Sequence, residues 1–158
     1  MHLTTYTDYS LRVLMYEGIK GAEISTISEI AERYGISRNH LMKVVQKLGQ
    51  LGYLETLRGK GGGIRLALRP DQINIGEVVL NMEDELALVQ CFKDDEGVCR
   101  IEPACVLRHA LEEAQAAFFG VLNRHTLATL LAPKRRLSSL LLINAAEQAR
   151  LVVKRSRA

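Results

Sequence analysis

Residues 26–66 read TISEIAERYGISRNHLMKVVQKLGQLGYLETLRGKGGGIRL, and the order of elements in them decides the fold. Thr26-Ile27-Ser28-Glu29 has capping-box spacing, a hydroxyl and a carboxyl three residues apart at the start of a helix. Ile27, Ile30, Ala31 and Tyr34 then recur at helical period, and Gly35 stops the helix. Ser37 caps a second helix. Its stripe of Leu41, Val44, Val45, Leu48 and Leu51 faces inward, and its other face carries Arg38, Asn39, His40, Lys43, Gln46 and Lys47. Gly52 ends it. Two strand-like pieces, Tyr53–Arg58 and Ile64–Leu68, are joined by Gly59-Lys60-Gly61-Gly62-Gly63, which predicts a hairpin with a glycine-rich tip. Short helix, tight glycine turn, amphipathic helix and hairpin is the order of a winged helix-turn-helix.

That order assigns roles. The second helix of such a pair enters the DNA major groove with its N-terminal end first. Ser37, Arg38, Asn39, His40 and Lys43 fall within its first two turns. Arg pairs with guanine edges and Asn with adenine edges, so these residue types can read bases. The hairpin tip offers bare glycine backbone flanked by Arg58, Lys60 and Arg65, a pattern suited to phosphates. A cationic helix face in isolation is usually just a solvated face. The helix-turn-helix order and the basic wing turn the reading toward DNA.

Working outward, residues 7–18 predict a helix capped by Thr7 or Asp8, with Leu11, Leu14 and Met15 on one face and Gly18 and Gly21 at its exit. Asn74-Ile75-Gly76-Glu77 starts another, with Val78, Val79 and Met82 inward. Residues 83–105 are acidic, contain every cysteine and show little periodicity, so they predict a loop; loops of that length are usually functional. Pro103 suits the first turn of a long helix. In that helix Leu107, Leu111, Ala114, Phe118, Val121 and His125 form the kind of seam a partner helix requires. Thr126 caps a short helix to about Leu131, Pro133 breaks the chain, and the basic remainder can form a helix. The expected fold is mainly α with a small β-hairpin wing. Its parts are a winged helix-turn-helix over 1–70, a cysteine loop and dimerisation helix over 71–132, and a tail over 133–158.

The net charge of +3 hides a segregation. Residues 1–70 carry +4, residues 71–99 carry −7 and residues 100–158 carry +6. A basic first part fits a nucleic-acid surface. No long uncharged apolar run predicts a membrane span, and Met1 to Tyr9 lacks the pattern of a secretory signal, so the expected location is cytoplasmic. There the redox poise disfavours structural disulfides, and an odd number of cysteines argues the same way.

Cys91, Cys99 and Cys105 are soft, anionic donors when ionised, and they sit within fifteen residues of flexible backbone. They can reach one small iron–sulfur cluster but cannot supply four ligands. The spacing lacks both the Cys-x-x-Cys pairs of common zinc sites and the short ferredoxin runs. A zinc site, a thiol redox switch and unrelated free thiols stand as alternatives, and a small zinc or iron–sulfur redox protein is the rival of another class. An enzyme is not expected: the sequence has no phosphate loop, no nucleophile elbow and no clear acid–base pair.

Several stretches carry a family resemblance. They are Leu3-Thr4-Thr5-Tyr6-Thr7-Asp8-Tyr9-Ser10-Leu11-Arg12, Ser37-Arg38-Asn39-His40-Leu41-Met42-Lys43 and Arg58-Gly59-Lys60-Gly61-Gly62-Gly63-Ile64-Arg65-Leu66. To these add Cys91…Cys99…Pro103-Ala104-Cys105 and His125-Thr126-Leu127. From about residue 1 to 132 the chain resembles the NsrR family of nitric-oxide-sensitive, iron–sulfur, winged-helix repressors. The resemblance implies a homodimer paired through the long helix, a palindromic double-stranded operator and nitric oxide as the signal. It also implies a cluster on the three cysteines, 4Fe-4S first and 2Fe-2S as the alternative, with Asp8 as fourth ligand, donated by the partner subunit. A related regulator of iron–sulfur cluster assembly has the same fold and completes its cluster with a histidine three residues after the last cysteine. Here that position is Arg108. His109 is displaced by one residue, about 100° around a helix, which favours Asp8 over His109.

Overall fold

The computed structural model describes residues 2–59, 61–93 and 99–141. Among the described residues, seven α-helices and one two-stranded hairpin run in the order α1 (Thr5–Lys20), α2 (Ile27–Tyr34), α3 (Arg38–Gln50), β1 (Leu54–Leu57), β2 (Gly63–Leu66), α4 (Ile75–Met82), α5 (Val106–Leu122), α6 (Leu127–Leu130) and α7 (Lys134–Leu140). The mainly helical winged architecture is as the sequence predicts.

The stripe on α3 explains the centre of the molecule. Leu41, Val44, Val45 and Leu48 are buried, and they meet Val13, Leu14 and Tyr16 of α1, Ile30 of α2 and Ile64 of β2. Each large apolar side chain buried this way contributes about 1.5–3 kcal/mol. Thr26 Oγ1 accepts the amide of Glu29 at 3.1 Å, half of the expected capping box. The other half is missing because the Glu29 carboxylate instead accepts from Tyr16 Oη at 2.7 Å and Lys20 Nζ at 3.2 Å. Gly35 closes α2 in the left-handed region at φ 64°, a conformation that favours glycine.

β1 and β2 pair antiparallel with Leu54 opposite Leu66 and Leu57 opposite Gly63. Ser25 adds a one-residue bridge to Ile64, with amide–carbonyl distances of 3.0 and 2.8 Å. This fastens the wing to the segment before α2. A Cβ at Gly63 would lie 2.3 Å from the Ser25 carbonyl oxygen, so the close approach requires glycine there.

Three helix boundaries differ from expectation. α1 begins two residues earlier, because Thr4 rather than Thr7 or Asp8 is its N-cap: Thr4 Oγ1 accepts the amide of Thr7 at 3.3 Å. It also runs through Gly18, which is buried against Leu131, and ends only at Gly21. Pro103 does not open the long helix. It sits in a separate 3-10 turn, Glu102–Ala104, and Cys105 is the N-cap of α5. The expected cap at Thr126 and the short helix after it are present as α6.

The C-terminal end of α5 docks on the start of α4. The amide of Ile75 donates to His125 at 3.0 Å and that of Leu127 to Ile73 at 2.8 Å. A Cβ at Gly76 would lie 1.9 Å from Asn123 Oδ1. Leu127 and Leu131 then join the same core as α1. Among the described residues, no helix is long and apolar enough to cross a membrane. Of the expected tail, α7 and Leu141 are described, and 142–158 lie outside the described residues.

Candidate DNA-binding face and cysteine site

With one side of α3 in the core, its other side is presented outward by default. Ser37 occupies the N-cap position without a side-chain hydrogen bond, and its hydroxyl is exposed. Arg38, Asn39, His40 and Lys43 are all exposed on the first turns. The ring of Tyr9 lies 6.4 Å from that of His40, so α1 supports the helix from behind. Met42 is also exposed on this face, an apolar side chain among cations that residue-type reasoning passed over.

The wing presents Arg58 in the open beside Gly59, whose φ of 97° suits a glycine tip. Arg65 is half-exposed and paired across the hairpin with Glu55, so its guanidinium already has an anionic partner. Lys60, the third expected wing cation, lies outside the described residues.

The cysteines converge on one cavity beside the N-terminal end of α5. Cys91 lies in the 3-10 turn Gln90–Phe92, Cys105 caps α5, and Cys99 is exposed between them; all three are free thiols. They line one cavity of about 500 Å³, with Val89, Ile101, Leu107 and Leu111 as apolar wall. Among the described residues no three His, Cys, Asp or Glu side chains come together tightly enough for a single metal ion. Thiolates on one tetrahedral zinc must crowd around a point, whereas those on a cluster each hold a different iron. By the chemistry of the donor set, three soft thiols edging one apolar cavity fit an iron–sulfur cluster.

Arg108 is the cation of this cavity. Its Nη1 donates to the Cys91 carbonyl at 3.1 Å and to Glu102, its Nε donates to Glu112 at 2.9 Å, and the guanidinium lies 5.8 Å from the Phe92 ring centroid. One side chain thus ties the Cys91 turn, the turn before Cys105 and α5 together. Its place three residues after Cys105 was visible in the sequence, but its contacts depend on the fold of the loop.

The two candidate fourth ligands lie elsewhere in the single chain. Asp8, in the first turn of α1, is engaged by Arg12 at 2.9 and 3.1 Å. His109 points to solvent at 79% exposure, with Glu112 Oε2 3.4 Å from its Nδ1. Neither lines the cysteine cavity.

Comparison with known proteins agrees with this layout. The model of the Rrf2 family, described as iron-dependent transcriptional regulators, matches residues 3–133. The HTH-type transcriptional regulator NsrR of Bacillus subtilis is 52% identical over 142 residues, covering 89% of this chain and 97% of its own length. The regulator of the same name from Geobacillus kaustophilus is 51% identical over 142 residues, with the same two coverages. Among solved structures, CymR, the global cysteine regulator of B. subtilis, superposes with a TM-score of 0.68 at 26% identity, over 82% of this chain and 95% of its own. T. potens IscR superposes with a TM-score of 0.66 at 25% identity, over 83% and 86%.

Proposed function

The chain belongs to the Rrf2 family of transcriptional regulators, and we propose that it is a homodimeric, cytoplasmic repressor that releases its operator when nitric oxide attacks an iron–sulfur cluster held by Cys91, Cys99 and Cys105. The carrying observation is the shared cavity of the three free thiols at the base of α5. Similarity to the NsrR regulators supports the nitric oxide signal. In this reading residues 1–70 read DNA and residues 71–132 carry the sensor and the dimer contact.

The exposed face of α5 supports the proposed dimer. None of its seventeen residues is buried within the chain, although Leu107, Ala114 and Val121 of the seam are apolar and exposed. A second copy of the same helix would cover them. The two α3 helices of such a dimer meet successive major grooves of a palindromic operator when they stand roughly 34 Å apart. Ser37, Arg38, Asn39, His40 and Lys43 then face base edges. Arg58, Lys60 and Arg65 face phosphates, Arg65 by exchanging Glu55 for a phosphate oxygen.

When bound, an iron–sulfur cluster supplies irons for which nitric oxide competes with the thiolates. The protein's part is to hold the thiols with Arg108 and the Cys105 cap, and to complete the ligand set with Asp8 of the partner subunit. Asp8 must leave Arg12 to do so, so ligation competes with an ion pair inside α1. That exchange biases a two-state element.

Anaerobic purification with iron and acid-labile sulfide counting tests the cofactor. The expected result is a coloured protein with iron and sulfide in equal numbers, lost on changing any one cysteine to serine and weakened by Asp8→Ala but not by His109→Ala. Zinc without sulfide would contradict it.

A further inference from the structure

The segment that leads to the cysteines begins at Glu83, the C-cap of α4. Its partly exposed carboxylate reaches across to the start of α1. Oε1 accepts the backbone amide of Thr4 at 2.7 Å and the Thr4 hydroxyl at 3.1 Å, across 79 residues of sequence. Thr4 is the N-cap of α1, and its Oγ1 also accepts the Thr7 amide at 3.3 Å. Burial raises the Glu83 pKa, but hydrogen bonds from Thr7 and Thr4 outweigh it and hold the carboxyl below its ordinary value. The neighbouring Asp84 carries its charge close enough to Tyr6 to raise that phenol's pKa, after desolvation.

The same turn of α1 has a second attachment. Tyr6 Oη donates to the backbone carbonyl of Lys43 at 3.0 Å, in the middle of the exposed face of α3. That carbonyl lies inside a helix and is already an acceptor in the α3 ladder, so the bond fixes α3 rather than satisfying an orphan group. Tyr9, one turn on, stacks obliquely beside His40. On the other side, the cysteine segment is braced to α5 by Gln115 Nε2 donating to the Leu86 carbonyl at 2.6 Å and by Arg108 donating to Cys91.

We infer that Glu83 and Tyr6 are positioning residues: Glu83 ties the start of the cysteine segment to the cap of α1, Tyr6 ties the same turn to the α3 backbone, and the turn sets where the DNA-facing side of α3 sits. A shift of the cysteine segment moves Glu83, and the Thr4 cap follows it. The inference rests on the cluster-dependent repressor proposed above, since it names the residues through which that dependence passes.

Amide hydrogen exchange on cluster-free protein tests the link without reference to the cofactor. Glu83→Ala touches nothing on α3, yet it is expected to speed exchange over residues 38–47 as well as over 5–8, at least fivefold. Tyr6→Phe is expected to do the same over 38–47. Combining the two should add nothing there, while the effect of Glu83→Ala on 5–8 persists. Glu83→Gln keeps an acceptor oxygen of the same reach and restores most of the protection. If Glu83→Ala speeds exchange only over 5–8, or if the two changes add over 38–47, the link is refuted. A second arm measures affinity for DNA duplexes selected from a random-sequence pool by the wild-type protein, with and without the cluster. Variants that still load iron should lose at least fivefold of the wild-type ratio. A wild-type ratio of one would overturn the proposed function and with it the use of the link, while the exchange cycle decides the link separately.

Discussion

Glu17 lies on α1 with no exposed surface, and neither carboxylate oxygen has a hydrogen-bond partner among the described residues. Desolvation pushes its pKa from 4.5 up to about 8; Ser25, buried beside it, opposes the shift without closing a bond of normal geometry. The group is therefore neutral in the folded protein at pH 7 and charged in the unfolded chain. Because the folded pKa is the higher one, stability is undiminished below about pH 4.5, falls as pH rises through the window up to about 8, and levels off beyond it. Glu17→Gln removes the titration. Thermal melts at pH 5 and pH 8 should show a narrower difference in the variant, by on the order of 2 kcal/mol or roughly 4–8 °C in Tm for a chain of this size. Parallel curves for the two proteins would show that Glu17 is ionised inside the fold. Nothing local in the sequence marks this residue: Glu17 looks like any helix carboxylate until β2 and Ser25 close over it. The cap of α1 failed to be legible for a related reason. Thr4, Thr5, Thr7 and Asp8 are all capable of capping, and the choice of Thr4 coincides with Glu83, 79 residues away.

At the scale of elements, local pattern served well where one face meets the core. The α3 stripe, the Gly35 turn and the Asn74 cap, whose Oδ1 accepts the Glu77 amide at 3.1 Å, were all readable because each depends on residues three or four apart. α5 is the opposite case. Its apolar seam was readable, but its start was not: the 3-10 turn holding Pro103 is set by how the loop folds back toward Arg108. Leu107 is 66% exposed at the first turn of α5 and Val121 is 45% exposed at the last, a run of apolar surface that one chain leaves uncovered. Val121→Arg, at the exposed C-terminal end of that run and outside the cysteine cavity, should convert the protein to monomer with little change in the far-UV helix signal. Sedimentation or light scattering reads this directly; an undisturbed dimer in the variant would place the partner contact elsewhere, and a wild-type monomer would refute the dimer. Monomers should also bind paired half-sites at least tenfold more weakly, since one recognition unit loses the other's effective concentration.

For the whole molecule, charge and chemistry are sorted along the chain in the way the fold uses them. The basic first 70 residues present α3 and the wing, and the acidic stretch 71–99 leads into the cavity of three thiols. Three cysteines alone left zinc, a thiol switch and a cluster open; the fold adds that all three line one cavity. What the sequence could not show is how the cysteine segment is joined to the DNA-facing helix, because Thr4–Glu83 and Tyr6–Lys43 are contacts between elements and not patterns within them. In the proposed function, the thiol site controls the DNA-reading face. The most direct measurement of that control is an anaerobic titration of nitric oxide into cluster-loaded protein bound to a fluorescent duplex selected from a random pool, followed by anisotropy at fixed salt. The account predicts that affinity falls at least tenfold as nitric oxide is added, to the level of the cysteine-to-serine variants; equal affinity before and after, or variants that bind as tightly as the loaded protein, would contradict it.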